Sequence, residues 1–329
     1  MAAMSARVTV AIAQARPRYL DLDATMARAE ELIREAAGRG VQLLVFGETW
    51  LTGYPLWLDH CPGAALWDHP PTKQVFARLR RASVTVPGPE TARLGALARE
   101  TGLVIIIGAN ERVDDGPGNG TLYNTILGFD PRGALVLHHR KLVPTYTERL
   151  VWGPGDTHGL RAVDTAAGRV GALVCWEHWM PLARQALHNS GEQLHVAMWP
   201  TVHEMHTIAS RQYAFEARCF VLAAGLLMRT DDIPAPLQRP EGEADDELLL
   251  RGGSLIIAPD GSIVAGPVFD RETLLVAELD LAHIERERMT LDVTGHYYRP
   301  ELLELLQEQH AATTRARTAR AQERSDEGA

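Results

Sequence analysis

Cys175 closes an apolar run, Gly171-Ala172-Leu173-Val174, and is followed by Trp176-Glu177-His178-Trp179-Met180 and then by Pro181-Leu182. A strand that ends on a cysteine shortly before a helix presents the thiol on a sharp turn beside free backbone N–H groups. A thiol attacks carbon only as the thiolate, so it needs a neighbouring base or positive charge. Two other segments offer these. Phe46-Gly47-Glu48-Thr49-Trp50-Leu51 puts a carboxylate at the end of a buried run, and His139-Arg140-Lys141-Leu142-Val143-Pro144-Thr145-Tyr146-Thr147-Glu148 supplies a lysine and a second carboxylate. Each has an ordinary explanation by itself. Free cysteines are commonly buried, Glu48 could cap a helix or pair with an arginine, and a Lys-Glu loop is usually solvated. Taken together, Glu48, Lys141 and Cys175 place base, cation and nucleophile at or just after strand ends, where α/β proteins gather their sites.

Other reactive groupings are weaker. In His203-Glu204-Met205-His206 the histidines are three apart, not the four of a His-Glu-x-x-His zinc site, and His138-His139 lacks further ligands; no metal or cofactor is expected. Gly116-Pro117-Gly118-Asn119-Gly120 has neither the lysine nor the helix of a phosphate loop and reads as a hairpin loop. A papain-like pairing of Cys175 with His178 or His296 is a rival arrangement for the same thiol.

The elements that must carry these residues alternate. An opening strand precedes a helix capped by Asp23, with Met26, Ala29, Ile33 and Ala36 inward and Gly38 and Gly40 at its end, and a strand over 42–46 follows. The pattern recurs with a helix from about 91 before 103–107, with 169–174 before a helix over 181–188, and with 194–198, a helix over 207–218 and 220–226. Segments 122–129 and 134–138, and again 254–258 and 263–265, flank Pro-x-Gly turns and read as hairpins. The alternation predicts an α/β fold with mixed sheets. Residues 52–89 and the acidic, Pro-bearing 231–247 read as loops over a site, and 311–329 as a disordered tail beyond a single domain over 1–310.

Composition narrows the classes. The 329 residues are 46% apolar and 23% charged with a net charge of -9, which suits a globular chain and opposes binding to nucleic acid or anionic membrane. Three cysteines, Cys61, Cys175 and Cys219, form no disulfide framework, so a cytoplasmic setting is expected. The apolar run near the start is too short for a signal peptide and reads as a buried strand; no stretch approaches the ~20 apolar residues of a membrane span.

The three chemical clusters also resemble a known family. Phe46-Gly47-Glu48-Thr49-Trp50-Leu51-Thr52-Gly53-Tyr54-Pro55, Arg140-Lys141-Leu142-Val143-Pro144-Thr145 with Glu148 and Gly153-Pro154-Gly155-Asp156, and Cys175-Trp176-Glu177-His178 with Pro181-Leu182 resemble the three motifs of the nitrilase superfamily; Gly252-Gly253-Ser254 and Gly295-His296-Tyr297-Tyr298-Arg299-Pro300 add to the likeness. It covers about residues 7–305, and Cys-Trp-Glu-His is most similar to the nitrilase branch. Gly47, Thr52, Tyr146 and Thr157-His158 depart from the common pattern, and Thr52 and Tyr146 are expected near the pocket.

The resemblance implies an α-β-β-α sandwich of two mixed sheets covered by helices. It implies hydrolysis of a small-molecule nitrile by water to a carboxylic acid and ammonia, with amide or N-carbamoyl hydrolysis as the alternative. It implies Glu48 as base and acid, Lys141 as charge stabiliser, Cys175 as nucleophile and Glu148 in support. Tyr54, Trp57, Tyr146, Trp176 and Trp199 are the expected substrate-binding residues. It further implies self-association as a dimer or larger spiral; a non-catalytic binding or filament-forming protein on the same fold is the alternative outside enzymology.

Overall fold

Three strands in the first third of the chain, β1 (Arg7–Gln14), β2 (Leu43–Phe46) and β3 (Val104–Arg112), are mostly apolar and buried on both faces. Side chains alternate across a strand, and here the alternation feeds two cores. Val10, Ile12, Leu43, Val45, Val104 and Ile106 join the layer shared by two sheets, while Ala11, Ala13, Leu44, Phe46, Ile105 and Ile107 pack with helices outside. Burying a side chain such as Ile12 contributes roughly 1.5–3 kcal/mol. The structure, a computed structural model, describes residues 7–237, 239, 242 and 246–327.

Ten more strands follow in chain order: β4 (Leu122–Phe129), β5 (Leu135–Arg140), β6 (Val163–Thr165), β7 (Gly168–Val174), β8 (Leu194–Met198), β9 (Phe220–Ala224), β10 (Leu227–Arg229), β11 (Leu248–Ile257), β12 (Ile263–Phe269) and β13 (Thr273–Asp280). The first sheet has the order β13-β1-β2-β3-β4-β5; the second runs β10-β11-β9-β8-β7-β6, with β12 also on β11. β1, β2 and β3 pair in parallel, as do β7, β8 and β9, and the flanking pairs are antiparallel, so both sheets are mixed. Helices Leu22–Gly38 and Pro89–Thr101 cover the first sheet through Met26, Ile33, Leu94 and Leu97. Helices Pro181–Asn189 and Glu204–Ala217 cover the second through Leu187, Tyr213 and Ala214. The result is the expected helix-sheet-sheet-helix sandwich.

Several local expectations change. Asp21, not Asp23, caps the first helix, its Oδ1 accepting the Ala24 N–H at 3.0 Å. The apolar segment 220–226 stops being strand at Gly225, where a Cβ would lie 2.1 Å from the Gly252 carbonyl oxygen, so that β9 ends at Ala224 and β10 begins only at Leu227. β13 escaped the sequence pattern; its half-buried face lies antiparallel to β1 from Arg7↔Asp280 to Gln14↔Thr273. The tail expected to be disordered is instead helical over Glu301–Glu327, a segment rich in Glu, Gln, Ala and Arg, which favour helix. In the 231–247 segment, Asp232 binds Arg16 at 2.9 Å. Asp231–Pro234 line a cavity with Tyr19 and Arg78, away from Cys175. Residues 238, 240, 241 and 243–245 of that segment lie outside the described residues. Among the described residues no helix is long and apolar enough to cross a membrane.

Candidate active site

β2, β5 and β7 end at one place between the two sheets. Glu48 follows β2, Lys141 follows β5 directly and Cys175 follows β7 directly. The first turn is tight because β3 passes close behind it: a Cβ at Gly108 would sit 2.3 Å from the Gly47 carbonyl oxygen and 2.4 Å from the Thr49 nitrogen. Four non-glycine residues around the site hold left-handed backbone, Thr49 (φ 47°), Thr52 (φ 76°), Tyr146 (φ 43°) and Cys175 (φ 51°). Such backbone costs of order 1–3 kcal/mol per residue and persists where surrounding structure over-determines it.

Lys141 bridges two carboxylates. Its Nζ donates to Glu148 Oε2 at 2.6 Å and to Glu48 Oε1 at 3.3 Å, and all three side chains are buried. Asn124 Nδ2 also donates to Glu48 Oε1 at 2.7 Å. Glu148 accepts from the Tyr54 hydroxyl at 2.8 Å and from the Thr145 N–H at 2.6 Å, which holds it rigidly against Lys141. Cys175 Sγ and one oxygen each of Glu48 and Glu148 lie within 4.8 Å of one another. Although this is a set a metal could use, Lys141 already brings a positive charge into it. The second oxygen of Glu48, Oε2, is buried with no hydrogen-bond partner among the described residues.

The charges tune one another. Burial, with the neighbouring Glu148, pushes Glu48 up to about 7 against the pull of Lys141. Burial alone would neutralise Lys141, but Glu48, Cys175 and Glu148 hold it firmly protonated. Burial keeps the Cys175 thiol protonated at rest, with Lys141 and the Trp176 backbone N–H drawing it the other way. A carboxylate poised near neutrality beside a thiol and a fixed cation can move a proton off sulfur and return it later.

The turn that carries Cys175 is braced by Glu177. Its Oε2 accepts the Val174 N–H at 2.7 Å and its Oε1 the Leu142 N–H at 2.7 Å, with His139 Nε2 at 3.0 Å from Oε2. One buried carboxylate thereby ties the nucleophile's turn to the lysine's loop. The rival Cys–His pairing fails here: His178 Nδ1 donates to the Cys175 carbonyl at 2.7 Å and its Nε2 faces His195 at 3.0 Å, so both ring nitrogens are taken. His296 is exposed.

A cavity of about 900 Å³ opens onto Cys175. Of the expected substrate-binding residues, Tyr54, Tyr146 and Trp176 line it. Trp57 does not; it is fully buried, and its Nε1 donates to the Tyr19 hydroxyl at 2.8 Å. Trp199 does not either, being buried behind the wall with Nε1 donating to Ser210 Oγ at 3.2 Å. Thr52 is also buried and set back, bonded to Asn110 Nδ2 at 3.1 Å. Sequence reasoning missed Trp179, Met180, His203 and His206 on the wall and Asp59 and Arg149 among the lining residues. His206 stacks on Trp199 at 4.5 Å, and burial, with His203 beside it, lowers it to about 4. The placement of His203 and His206 one helical turn apart was the available signal, read there only for metal. Asn124 and Glu177 were missed because an amide in a strand and a carboxylate in a turn look unremarkable without their partners.

Comparison with known proteins agrees with this architecture. The carbon-nitrogen hydrolase family model matches residues 9–289. The chain is 43% identical to "Nitrilase 2" of an unknown prokaryotic organism, over 90% of each chain. It is 42% identical to an aliphatic nitrilase of Sinorhizobium fredii (strain HH103), over 93% of this chain and 98% of that one. Saccharomyces cerevisiae Nit3, a member of branch 10 of the nitrilase superfamily, shares the fold with a TM-score of 0.67 at 19% identity, covering 90% of this chain and 98% of that one. The chain belongs to the carbon-nitrogen hydrolase family, in the nitrilase branch of the nitrilase superfamily.

Proposed function

We propose that this chain hydrolyses an organic nitrile to the carboxylic acid and ammonia through a covalent intermediate on Cys175. The observation that carries the reading is the packing of Cys175 Sγ within 4.8 Å of Glu48 and Glu148, with Lys141 bonded to both carboxylates. Glu48 takes the thiol proton as sulfur adds to the nitrile carbon, and that proton passes to the nitrile nitrogen, leaving a thioimidate. Water adds, the C–N bond breaks and ammonia departs with a proton returned by Glu48, leaving a thioester. A second water, deprotonated by Glu48, releases the acid and the thiol. Lys141 and the Trp176 backbone N–H stabilise the charge that builds on nitrogen and then on oxygen. Glu148 holds Lys141 in place and orients water.

Trp176, Trp179, Met180 and Tyr146 make the cavity wall largely apolar, which supports an apolar substituent on the nitrile. Three buried cysteines that form no disulfide with one another support a cytoplasmic setting. Self-association as a dimer or larger spiral is supported by exposed Leu182, Met205, Ile208 and Phe215 on two helices linked by Arg184–Glu216 at 3.0 Å. The test is a panel of nitriles and matching amides scored for ammonia and carboxylate, with Cys175→Ala as blank. Nitrile turnover that vanishes in the blank is expected; amide turnover without nitrile turnover would overturn the reading in favour of an amidase.

A further inference from the structure

Behind Cys175, on the side away from the cavity, lies a sealed group of titratable residues that the reaction above does not use. His178, His188, Glu192, His195 and Tyr213 are all at most 3% exposed. They form one connected chain. His178 Nδ1 meets the Cys175 carbonyl at 2.7 Å, His178 Nε2 meets His195 Nε2 at 3.0 Å, and His195 Nδ1 meets Glu192 Oε2 at 2.9 Å. Glu192 Oε1 accepts from the Tyr213 hydroxyl and faces His188 Nδ1 at 3.2 Å.

Counting protons along this chain leaves few arrangements. A carbonyl cannot donate, so His178 Nδ1 carries hydrogen. If His178 is neutral, its Nε2 accepts from His195 Nε2–H, and His195 Nδ1 then needs a proton between itself and Glu192. If His178 is instead the cation, His195 donates from Nδ1 to Glu192. In every case the two imidazoles and one carboxylate hold one proton beyond two neutral rings and a carboxylate. A second observation shows that the carboxylate's place is built in: a Cβ on Gly171, in the strand leading to the nucleophile, would stand 2.2 Å from Glu192 Oε2. Glycine at 171 admits the carboxylate under β7.

We infer that His178, His195 and Glu192 are positioning residues, a proton-holding brace that fixes the Cys175 carbonyl and thereby the left-handed backbone that aims its thiol at Glu48. Other ionisable groups face the chain, and one of them bonds to it: Arg184 Nη1 donates to the His178 carbonyl at 3.0 Å. Burial draws His178 and His195 toward their neutral forms, with Arg184 adding to this at His178, while Glu192 opposes it at both rings and Glu177 at His195; Glu216 lies 4.0 Å from His188 Nε2. His178 also stacks on Trp199 at 4.6 Å, so an aromatic replacement keeps packing while removing the donor.

The inference rests on Cys175 being the nucleophile, and its test separates the two. His178→Phe is expected to lower kcat by about 10²-fold, the scale of a small misplacement of reacting groups, with KM nearly unchanged because His178 does not line the cavity. His178→Asn, whose amide nitrogen can take the place of Nδ1, is expected to recover most of that loss. Phenylalanine within twofold of the parent, or asparagine no better than phenylalanine, would overturn the brace. The readout independent of substrate and of variant folding is the ¹⁵N spectrum of the histidine-labelled parent enzyme. It should show His178 protonated at Nδ1 and a proton held between His195 Nδ1 and Glu192; a His178 ring bare at Nδ1 would contradict the inference. A parent enzyme that releases no ammonia from any nitrile but shows these resonances would sink the proposed reaction and leave the brace standing.

Discussion

The two sides of Cys175 hold similar residues in opposite circumstances. On the sulfur side, Glu48, Lys141 and Glu148 open onto a cavity, and Glu48 sits near neutrality because burial and a second carboxylate oppose the lysine. On the carbonyl side, Glu192 is equally buried, but burial is outweighed there by His195 and His188, which hold it at about 2. The same side-chain type is thus made ready to exchange a proton in one place and locked as an anion in the other. Chemistry is assigned by partners and access rather than by residue type.

The contrast breaks most sharply at the sulfur side. Cys175→Ala is expected to release ammonia no faster than the nitrile does without enzyme, and Glu48→Gln to lower kcat by about 10³-fold or more, within the range for a lost general acid-base. With Glu48 held at about 7, its carboxylate form grows as pH rises. In the parent enzyme kcat/KM should therefore climb through pH 7 and level above it; a profile flat from pH 5 to 8 would remove Glu48 as the base. Lys141→Met should cost about 10²–10³ in kcat. It should also lower thermal stability, because two buried carboxylates lose their shared cation; the cost of breaking such a pair is about 3–5 kcal/mol.

Glu177→Gln should fall between the two sides, since its carboxylate holds both the Val174 and Leu142 N–H groups. We expect a drop of about tenfold in kcat and a destabilisation of about 1–3 kcal/mol, read by initial rates and thermal melts. Smallest is the cavity wall. Trp179→Ala should raise KM for bulky nitriles with kcat little changed, whereas Trp57→Phe should leave KM where it is, because Trp179 lines the cavity and Trp57 does not. Equal KM shifts from both would refute this account of the wall.

What was legible in the sequence follows the same division. Glu48, Lys141 and Cys175 stand out because each is a reactive residue placed just after an apolar run, and a strand's end is fixed by its hydrophobic pattern. Sidedness is harder to read. Trp57 and Trp176 look equally suited to a pocket until the helix Trp57–His60 turns one inward and the turn after Cys175 leaves the other exposed. The carbonyl-side chain was invisible because His178 lies in the turn after β7, Glu192 just before β8, His195 within β8 and Tyr213 on the helix Glu204–Ala217, and these meet only once β7 pairs with β8 and the helix packs on the sheet. β13 was missed because its partner β1 is some 260 residues earlier, and half-buried strands lack a clean alternation. The helical end was misread from low apolar content, a signal that speaks to packing rather than to local helix preference.

The central claim is that Cys175 carries the substrate covalently while Glu48 and Lys141 move its protons and charge. It is tested most directly by quenching the enzyme during nitrile turnover and mapping the adduct by peptide mass spectrometry. The account predicts added mass, of the whole nitrile or of its acyl group, on the peptide bearing Cys175, and its accumulation in Glu48→Gln if attack still occurs but breakdown is slowed. Turnover with Cys175 unmodified and the adduct on Cys61, Cys219 or no cysteine at all would contradict it.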